Sequence, residues 1–115
     1  MFKVAFYKTE DGRKPAGEFI RSLDEIARKQ IVRSIHNLEK EGNLLGMPDS
    51  RHLTEDLFEL RIRDRSNAYR MIYFYDKDED KLIIVTSGFV KKTQKTPPEE
   101  IERAKSYRDD YRSRH

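Results

Sequence analysis

From Phe58 to Arg63 the chain alternates without a break between apolar and polar residues: Phe58, Leu60 and Ile62 interleave with Glu59, Arg61 and Arg63. A period of two sends successive side chains to opposite faces of a strand, so this segment reads as a half-buried strand whose apolar face needs cover. The cover lies upstream. Phe19, Ile20, Leu23, Ala27, Ile31, Ile35 and Leu38 recur at helical spacing with Arg, Lys and Glu between them. Pro15 suits the opening turn of a helix, Ser22 or Asp24 can cap a break, and Gly42 ends the segment. These signals predict a short helix and then a longer one, forming a helical hairpin with one apolar face.

The remaining chain supplies more strands. Phe2 to Tyr7 reads as a first strand, closed by the Asp11-Gly12 turn. Asn43 to Glu55, with Gly46, Pro48 and Asp49, reads as a loop. A turn at Asp64–Asn67 leads to a strand over Ala68–Tyr75, and a polar turn at Lys77–Asp80 to a strand over Lys81–Phe89. The apolar Leu82–Val85 run in the last strand predicts burial on both faces and a central place. Thr96-Pro97-Pro98-Glu99-Glu100 is a helix-start signal, with Thr96 as the cap and proline and acids in the first turn. That helix runs towards Tyr111. Its apolar residues are only Ile101, Ala104, Tyr107 and Tyr111, which predicts loose docking and fraying. The order β-α-α-β-β-β-α predicts an α+β fold: an antiparallel, twisted meander with helices on one face. At 115 residues a single domain over 1–115 is expected.

Charge narrows the partners. Of the formal net charge of +3, Phe89–His115 holds 8 Lys/Arg against 5 Asp/Glu, and residues 1–88 hold 16 of each. A cationic end on a neutral body suits a polyanion, either nucleic acid or an acidic protein segment. The absence of cysteine removes disulfides, thiolate metal sites and cysteine nucleophiles. No apolar stretch approaches the ~20 residues a membrane span needs, and the opening MFKVAFYKTEDG lacks a signal-peptide layout. A soluble, cytoplasmic protein is expected. His36, His52 and His115 fall in a helix, a loop and the terminus, with no ligand-spaced pair. No GxSxG or P-loop spacing occurs, so neither a metal nor an organic cofactor is expected, and His115 is expected to be disordered.

Chemistry is then left to arginine and lysine. Arg61 and Arg63 leave their strand opposite Phe58, Leu60 and Ile62, and so should emerge on the face the helical hairpin leaves open. Arg70 opens the neighbouring strand, and Lys91, Lys92 and Lys95 follow the last one at the rim of the same sheet. A metal-free ribonuclease needs little more. The 2′-hydroxyl of the substrate attacks its own phosphate to give a 2′,3′-cyclic phosphate and a 5′-hydroxyl, while protein cations hold the phosphate and neutralise the phosphorane. The plainer account makes these arginines solvated charges or partners of Glu59, KKTQK a solvated connector, and Tyr73 and Tyr75 core or rim packing rather than platforms for bases.

Three blocks tip the balance towards chemistry. Leu57-Phe58-Glu59-Leu60-Arg61-Ile62-Arg63, Tyr69-Arg70-Met71-Ile72-Tyr73 and Gly88-Phe89-Val90-Lys91-Lys92-Thr93-Gln94-Lys95-Thr96-Pro97 together resemble the RelE/ParE toxin superfamily, closest to its HigB-like, phage-derived branch. Phe6-Tyr7-Lys8 and Glu100-Ile101-Glu102-Arg103-Ala104 fit the same branch. The resemblance covers nearly the whole chain, and F-x-K-K-T-Q-K-T-P is its most specific part. It implies a RelE-like, microbial-ribonuclease-like α+β fold and the toxin role in a type II toxin–antitoxin system. It further implies cleavage of mRNA on the ribosome and neutralisation by a cognate antitoxin carrying a helix-turn-helix domain. Mapped onto this sequence, it implies Arg61, Arg70 and Lys92 as catalytic residues and Arg63, Lys91 and Lys95 as RNA contacts, and Tyr73, an aromatic on the strand beside them, is expected as a further RNA contact. Arg61, Arg70 and Lys92 are expected on exposed positions. Relatives place a Tyr or His after the last strand or near the terminus as an acid–base group. Here the connector has Thr93 and Thr96, and the nearest candidates are Tyr107 and Tyr111 on the last helix. Two rivals stand beside the ribonuclease: a non-enzymatic, ParE-like inhibitor of DNA gyrase, and a basic interaction module without activity.

Overall fold

The computed structural model describes all of residues 1–115. A first strand, β1 (Lys3–Phe6), leads into helix α1 (Pro15–Arg21) and helix α2 (Glu25–Glu41). Pro15 occupies the first turn of α1, where a missing N–H costs no hydrogen bond. The Asp24 carboxylate caps α2 by accepting from the Ala27 N–H at 2.9 Å. Gly42 closes α2 at φ 54°, in the left-handed region that favours glycine. Strands β2 (Ser50–Thr54), β3 (Leu57–Asp64), β4 (Asn67–Tyr75) and β5 (Leu82–Val90) follow, and α3 (Pro98–Arg114) ends the chain.

The strands form one sheet in the order β1-β5-β4-β3-β2. Two features depart from the sequence reading. The sheet is mixed rather than wholly antiparallel, because β1 lies parallel to β5 in the register Lys3↔Leu82 to Phe6↔Val85. β5 is thereby flanked on both sides, as its apolar Leu82–Val85 run requires. The second difference is β2, inside a segment that reads as a loop. The turn signals of Gly46, Pro48 and Asp49 end at Ser50, and Ser50–His52 pairs antiparallel with Phe58–Leu60. An edge strand that exposes Arg51 and His52 has no apolar alternation to betray it.

Both faces are covered, not one. Leu60, Ile62, Met71, Tyr73, Ile83 and Val85 pack against Ala27, Ile31, Ile35 and Leu38 of α2 and against α1. Each large side chain buried this way stabilises the fold by about 1.5–3 kcal/mol. The opposite face presents Leu57, Ile72, Phe74, Leu82 and Ile84 to α3, which contributes Ala104, Tyr107 and Tyr111. Towards the β3–β4 turn, that same face carries the arginines.

α3 does not dock loosely, and His115 is not disordered. The few apolar residues of α3 are supplemented by a polar network the sequence does not announce. Arg108, buried, donates to Glu55 Oε1 at 2.9 Å and Asp56 Oδ1 at 2.7 Å in the β2–β3 turn. Lys105 lies 3.1 Å from Glu55 Oε2, and Arg112 also donates to Asp56. The Tyr111 hydroxyl donates to Asp76 Oδ2 at 2.6 Å and the Tyr7 hydroxyl to Asp110 Oδ2 at 2.5 Å. His115 stacks on Tyr111 with ring centroids 4.0 Å apart. The cations of α3 therefore answer carboxylates of the protein itself, and the C-terminal excess is not a free polyanion-binding tail. The cations left unpaired in this region are those of the β5–α3 connector, Lys91, Lys92 and Lys95.

This network makes the docking of α3 acid-labile. Hydrogen bonds from Lys105 and Arg108 hold Glu55 below the usual carboxylate range. Burial works to raise Asp56, but the bonds from Arg112 and Arg108 outweigh it and the net direction is down. Tyr111 and two backbone N–H groups lower Asp76, and Arg114 and Tyr7 lower Asp110. A depressed folded value contributes stability that is full above the unfolded value and lost as pH falls through the folded one. Thermal unfolding followed by circular dichroism should therefore be flat above about pH 5 and fall steeply below about pH 4. Asp56→Asn should lower the midpoint at neutral pH and shrink that acid slope.

Candidate nucleic-acid interface

The β3–β4 register sets Arg61 directly opposite Arg70, an arrangement of like charges that is unfavourable unless something offsets it. The offset is Glu59. It stands opposite Arg51 of β2 and diagonal to Arg70 of β4, on the same face as all of these arginines. Its side chain is 0% exposed. Oε1 accepts from Arg51 Nε at 3.1 Å and lies 3.5 Å from Arg70 Nε. Oε2 accepts from the Thr96 hydroxyl at 2.5 Å. A buried carboxylate without such partners would cost several kcal/mol, on the order of the desolvation penalty of a single ion.

Arg70 is the least expected member of the group. It is only 4% exposed, so the expectation of an exposed position is wrong for it. Nη1 donates to the Tyr69 carbonyl at 3.0 Å, and the buried Nε has no hydrogen-bond acceptor. Burial lowers its pKa, Glu59 acts against that, and Arg61, Arg63 and Arg51 add to it. A guanidinium remains charged under such pressure, so Arg70 is a fixed cation in a partly dry setting.

Lys91 continues the β4–β5 ladder by one residue, its N–H donating to the Ala68 carbonyl at 2.8 Å. That bond places its ammonium in the field of the cluster. Burial lowers its pKa, Glu59 opposes this, and Arg70, Arg51 and Arg61 reinforce it. Lys92 is exposed, one residue further along the connector.

Two concavities share these groups. One, of about 360 Å³, is lined by Gln30 and Ser34 of α2, by Asp49, and by Arg61, Arg63 and Arg70. The Arg61 N–H donates to the Asp49 carbonyl at 2.8 Å and fixes the two side by side. The other, of about 450 Å³, is a shallower trough lined by the same three arginines with Lys91, Lys92, Thr93 and Gln94. Arg61, Arg63 and Arg70 form the wall common to both, giving a cationic surface with one carboxylate, Asp49, at its edge.

The structure thus brings together Arg61, Arg63, Arg70, Lys91 and Lys92. Lys95 is exposed but lines neither concavity. Tyr73 is a correction. It is 1% exposed and faces the helical hairpin, where its hydroxyl bonds Ser50 at 2.5 Å and its ring stacks on Phe58, so no base can reach it. Thr96 does not cap α3; Pro97 holds the cap position and the Thr96 hydroxyl turns inward to Glu59. Tyr107 and Tyr111 pack on Tyr7 and Phe74, away from the cluster. No set of three or more His, Asp or Glu side chains converges as a metal-ligand group. Sequence reasoning missed Asp49 and Arg51, which fell in the presumed loop, and Thr96. It named Glu59 an arginine partner, correctly, though its partners are Arg51 and Arg70 rather than Arg61.

Against this geometry, the family model described as "Phage derived protein Gp49-like (DUF891)" matches residues 18–109. The chain belongs to this Gp49-like, phage-derived family. No curated protein sequence matches it significantly. Among solved structures, the Gp49-like chain is similar to a chain in the crystal structure of the archaeal RelE–RelB complex from Pyrococcus horikoshii OT3. The TM-score is 0.52 and the identity 22%, over 77% of this chain and 93% of that one. The fold is accordingly RelE-like.

Glu59 should dominate the stability of this region. Replacing it with Ala leaves buried Arg70 without a counter-charge, which costs about 3–5 kcal/mol when one partner of a buried pair is removed. Tyr73→Phe should cost only about 1 kcal/mol for the lost Ser50 bond and leave RNA affinity unchanged. Urea unfolding and equilibrium RNA binding check both.

Proposed function

We propose that this Gp49-like protein is the toxin of a type II toxin–antitoxin pair, acting as a metal-independent endoribonuclease on mRNA held by the ribosome. The observation that carries this reading is the convergence of Arg61, Arg63, Arg70 and Lys91 on one concave surface of a RelE-like fold. A surface that only bound RNA would gain as much from spread, mobile lysines. Holding a fixed guanidinium in a dry setting suits a charge that develops at one point.

In this reading the scissile phosphate lies against the Arg61–Arg63–Arg70 wall, with its non-bridging oxygens towards the guanidinium forks. Asp49 accepts the proton of the 2′-hydroxyl, whose oxygen attacks the phosphorus. Lys91 donates a proton to the departing 5′-oxygen, leaving a 2′,3′-cyclic phosphate and a 5′-hydroxyl. Burial beside Arg70, Arg51 and Arg61 lowers its pKa and makes it a stronger proton donor than a free lysine. Lys92, which the resemblance implies as catalytic, stands exposed at the rim and in this reading exchanges that role with Lys91, drawing the RNA backbone in as does Lys95 further out. Gln30 and Ser34 form the neutral, hydrogen-bonding wall against which a neighbouring base would lie. The similar archaeal chain was crystallised in a RelE–RelB complex, which supports a cognate antitoxin as the partner here; that this antitoxin carries a helix-turn-helix domain is proposed on the sequence resemblance alone.

Arg61→Ala and Lys91→Ala are expected to lower single-turnover cleavage on programmed ribosomes by about 10²–10³-fold each, the usual loss when one stabilising donor is removed. Lys92→Ala should instead weaken RNA binding and reduce its salt slope by about one, as for a phosphate contact. Excess chelator should leave cleavage unchanged. Normal cleavage in the Arg61 and Lys91 variants would place the chemistry elsewhere. Growth arrest with intact mRNA and DNA damage would move the protein to the gyrase inhibitors.

A further inference from the structure

The connector between β5 and α3 is tied down at both ends. Lys91 is held at its start by the N–H bond to the Ala68 carbonyl, 2.8 Å. At its end the Thr96 hydroxyl reaches Glu59 Oε2 at 2.5 Å. Between them Lys92, Thr93, Gln94 and Lys95 are all exposed, while Thr96 is buried. Thr96 gives something up to be there. A threonine just before a proline-opened helix is placed to cap it, yet α3 begins with Pro97 at the cap and no side-chain cap bond. A residue that abandons its local preference for a distant partner marks a place where local and global demands differ.

The same bond shapes Arg70. A free carboxylate beside a buried guanidinium closes on it with both oxygens. Here Thr96 takes Oε2 and Arg51 takes Oε1, and Arg70 Nε is left at 3.5 Å with no acceptor. Glu59 supplies Arg70 with a neutralising charge but not with a saturating set of hydrogen bonds. We propose that Thr96 and Glu59 are a positioning pair: their hydrogen bond pins the connector so that Lys91 stands beside Arg70, and it keeps Arg70 from closing on Glu59, leaving that guanidinium for a phosphate. The catalytic half of this proposal rests on the ribonuclease reading above, whereas the pinning half stands on the fold alone.

The test uses the full chain with Thr96→Val, which keeps shape and burial but loses the donor, and Thr96→Ser, which restores it. Three measurements are made: hydrogen exchange of the Lys91 amide, the connector N–H bonded to the Ala68 carbonyl; the NMR signal of the Arg70 Nε–H; and single-turnover cleavage beside RNA affinity. Thr96→Val should speed exchange in the connector and shift the Arg70 signal as it closes on Glu59. It should also slow cleavage by tenfold or more, towards the roughly 10²-fold that a 1 Å misplacement costs, a larger loss than the accompanying fall in RNA affinity. Thr96→Ser should restore all of these. Unchanged exchange and an unchanged Arg70 signal in Thr96→Val overturn the pinning. Faster exchange with normal cleavage overturns the catalytic role. If the wild-type protein cleaves no RNA, the functional reading fails by itself, and exchange with the Arg70 signal still decides the pinning.

Discussion

A single buried carboxylate holds the arginine-bearing half of this molecule in shape. Glu59 sits where β2, β3 and β4 meet the chain leaving β5, and each of these contributes a group that needs it: Arg51, Arg70 and the Thr96 hydroxyl. Without that negative charge, Arg51, Arg61, Arg63 and Arg70 would share one face of a sheet with nothing between them, and burial of Arg70 would be prohibitive. With it, the cations are crowded but tolerated. The local architecture is therefore electrostatic first. The apolar core on the other face, under α1 and α2, provides the rigid support on which this crowding can be maintained.

The rest of the charge is disposed to keep that site separate. α3 carries many cations, but its Lys105, Arg108, Arg112 and Arg114 are engaged by Glu55, Asp56 and Asp110. Those pairs fasten α3 over the Phe74 and Ile84 part of the sheet. Their exposed members add little individually, as surface pairs do, yet several of them around one buried arginine form a network with a defined geometry. Within the C-terminal quarter, the cations not engaged in this way are Lys91, Lys92 and Lys95 of the connector, and two of these, Lys91 and Lys92, line the trough beside Arg61, Arg63 and Arg70.

Function at such a site would come from groups that hardly move. Arg70 is enclosed, Lys91 is the last rung of a β-ladder, and Asp49 is tied to Arg61 through the backbone. Fixed dipoles and charges need no reorganisation when charge builds up on a phosphorane, so under the ribonuclease reading proposed above each such donor supplies roughly 3–4 kcal/mol of transition-state stabilisation. The cost is visible in the same atoms: like charges paired across β3 and β4, and a buried Nε without an acceptor.

Patterning in the sequence was enough to determine the helical hairpin, the β3–β4–β5 meander and the face from which Arg61 and Arg63 emerge. These follow from periods of 3.6 and 2 and from turn chemistry, which act over a few residues and are written locally. The blocks around Phe58, Tyr69 and Phe89 carried the family resemblance for the same reason. Tertiary structure alone decided the rest. Edge strand β2 exists because β3 offers it a partner, and β1 runs parallel to β5 because the chain returns to the first strand from the far side. Whether Tyr73 faced core or solvent depended on which side of the sheet the hairpin covered. Thr96 could be a helix cap or a partner of Glu59, and α3 could fray or dock, according to groups that lie 37 residues away for Thr96 and 53 for Arg108. Pairings at such separations leave no period in the sequence. They are fixed only when the closed fold makes an unpaired charge too costly to bury.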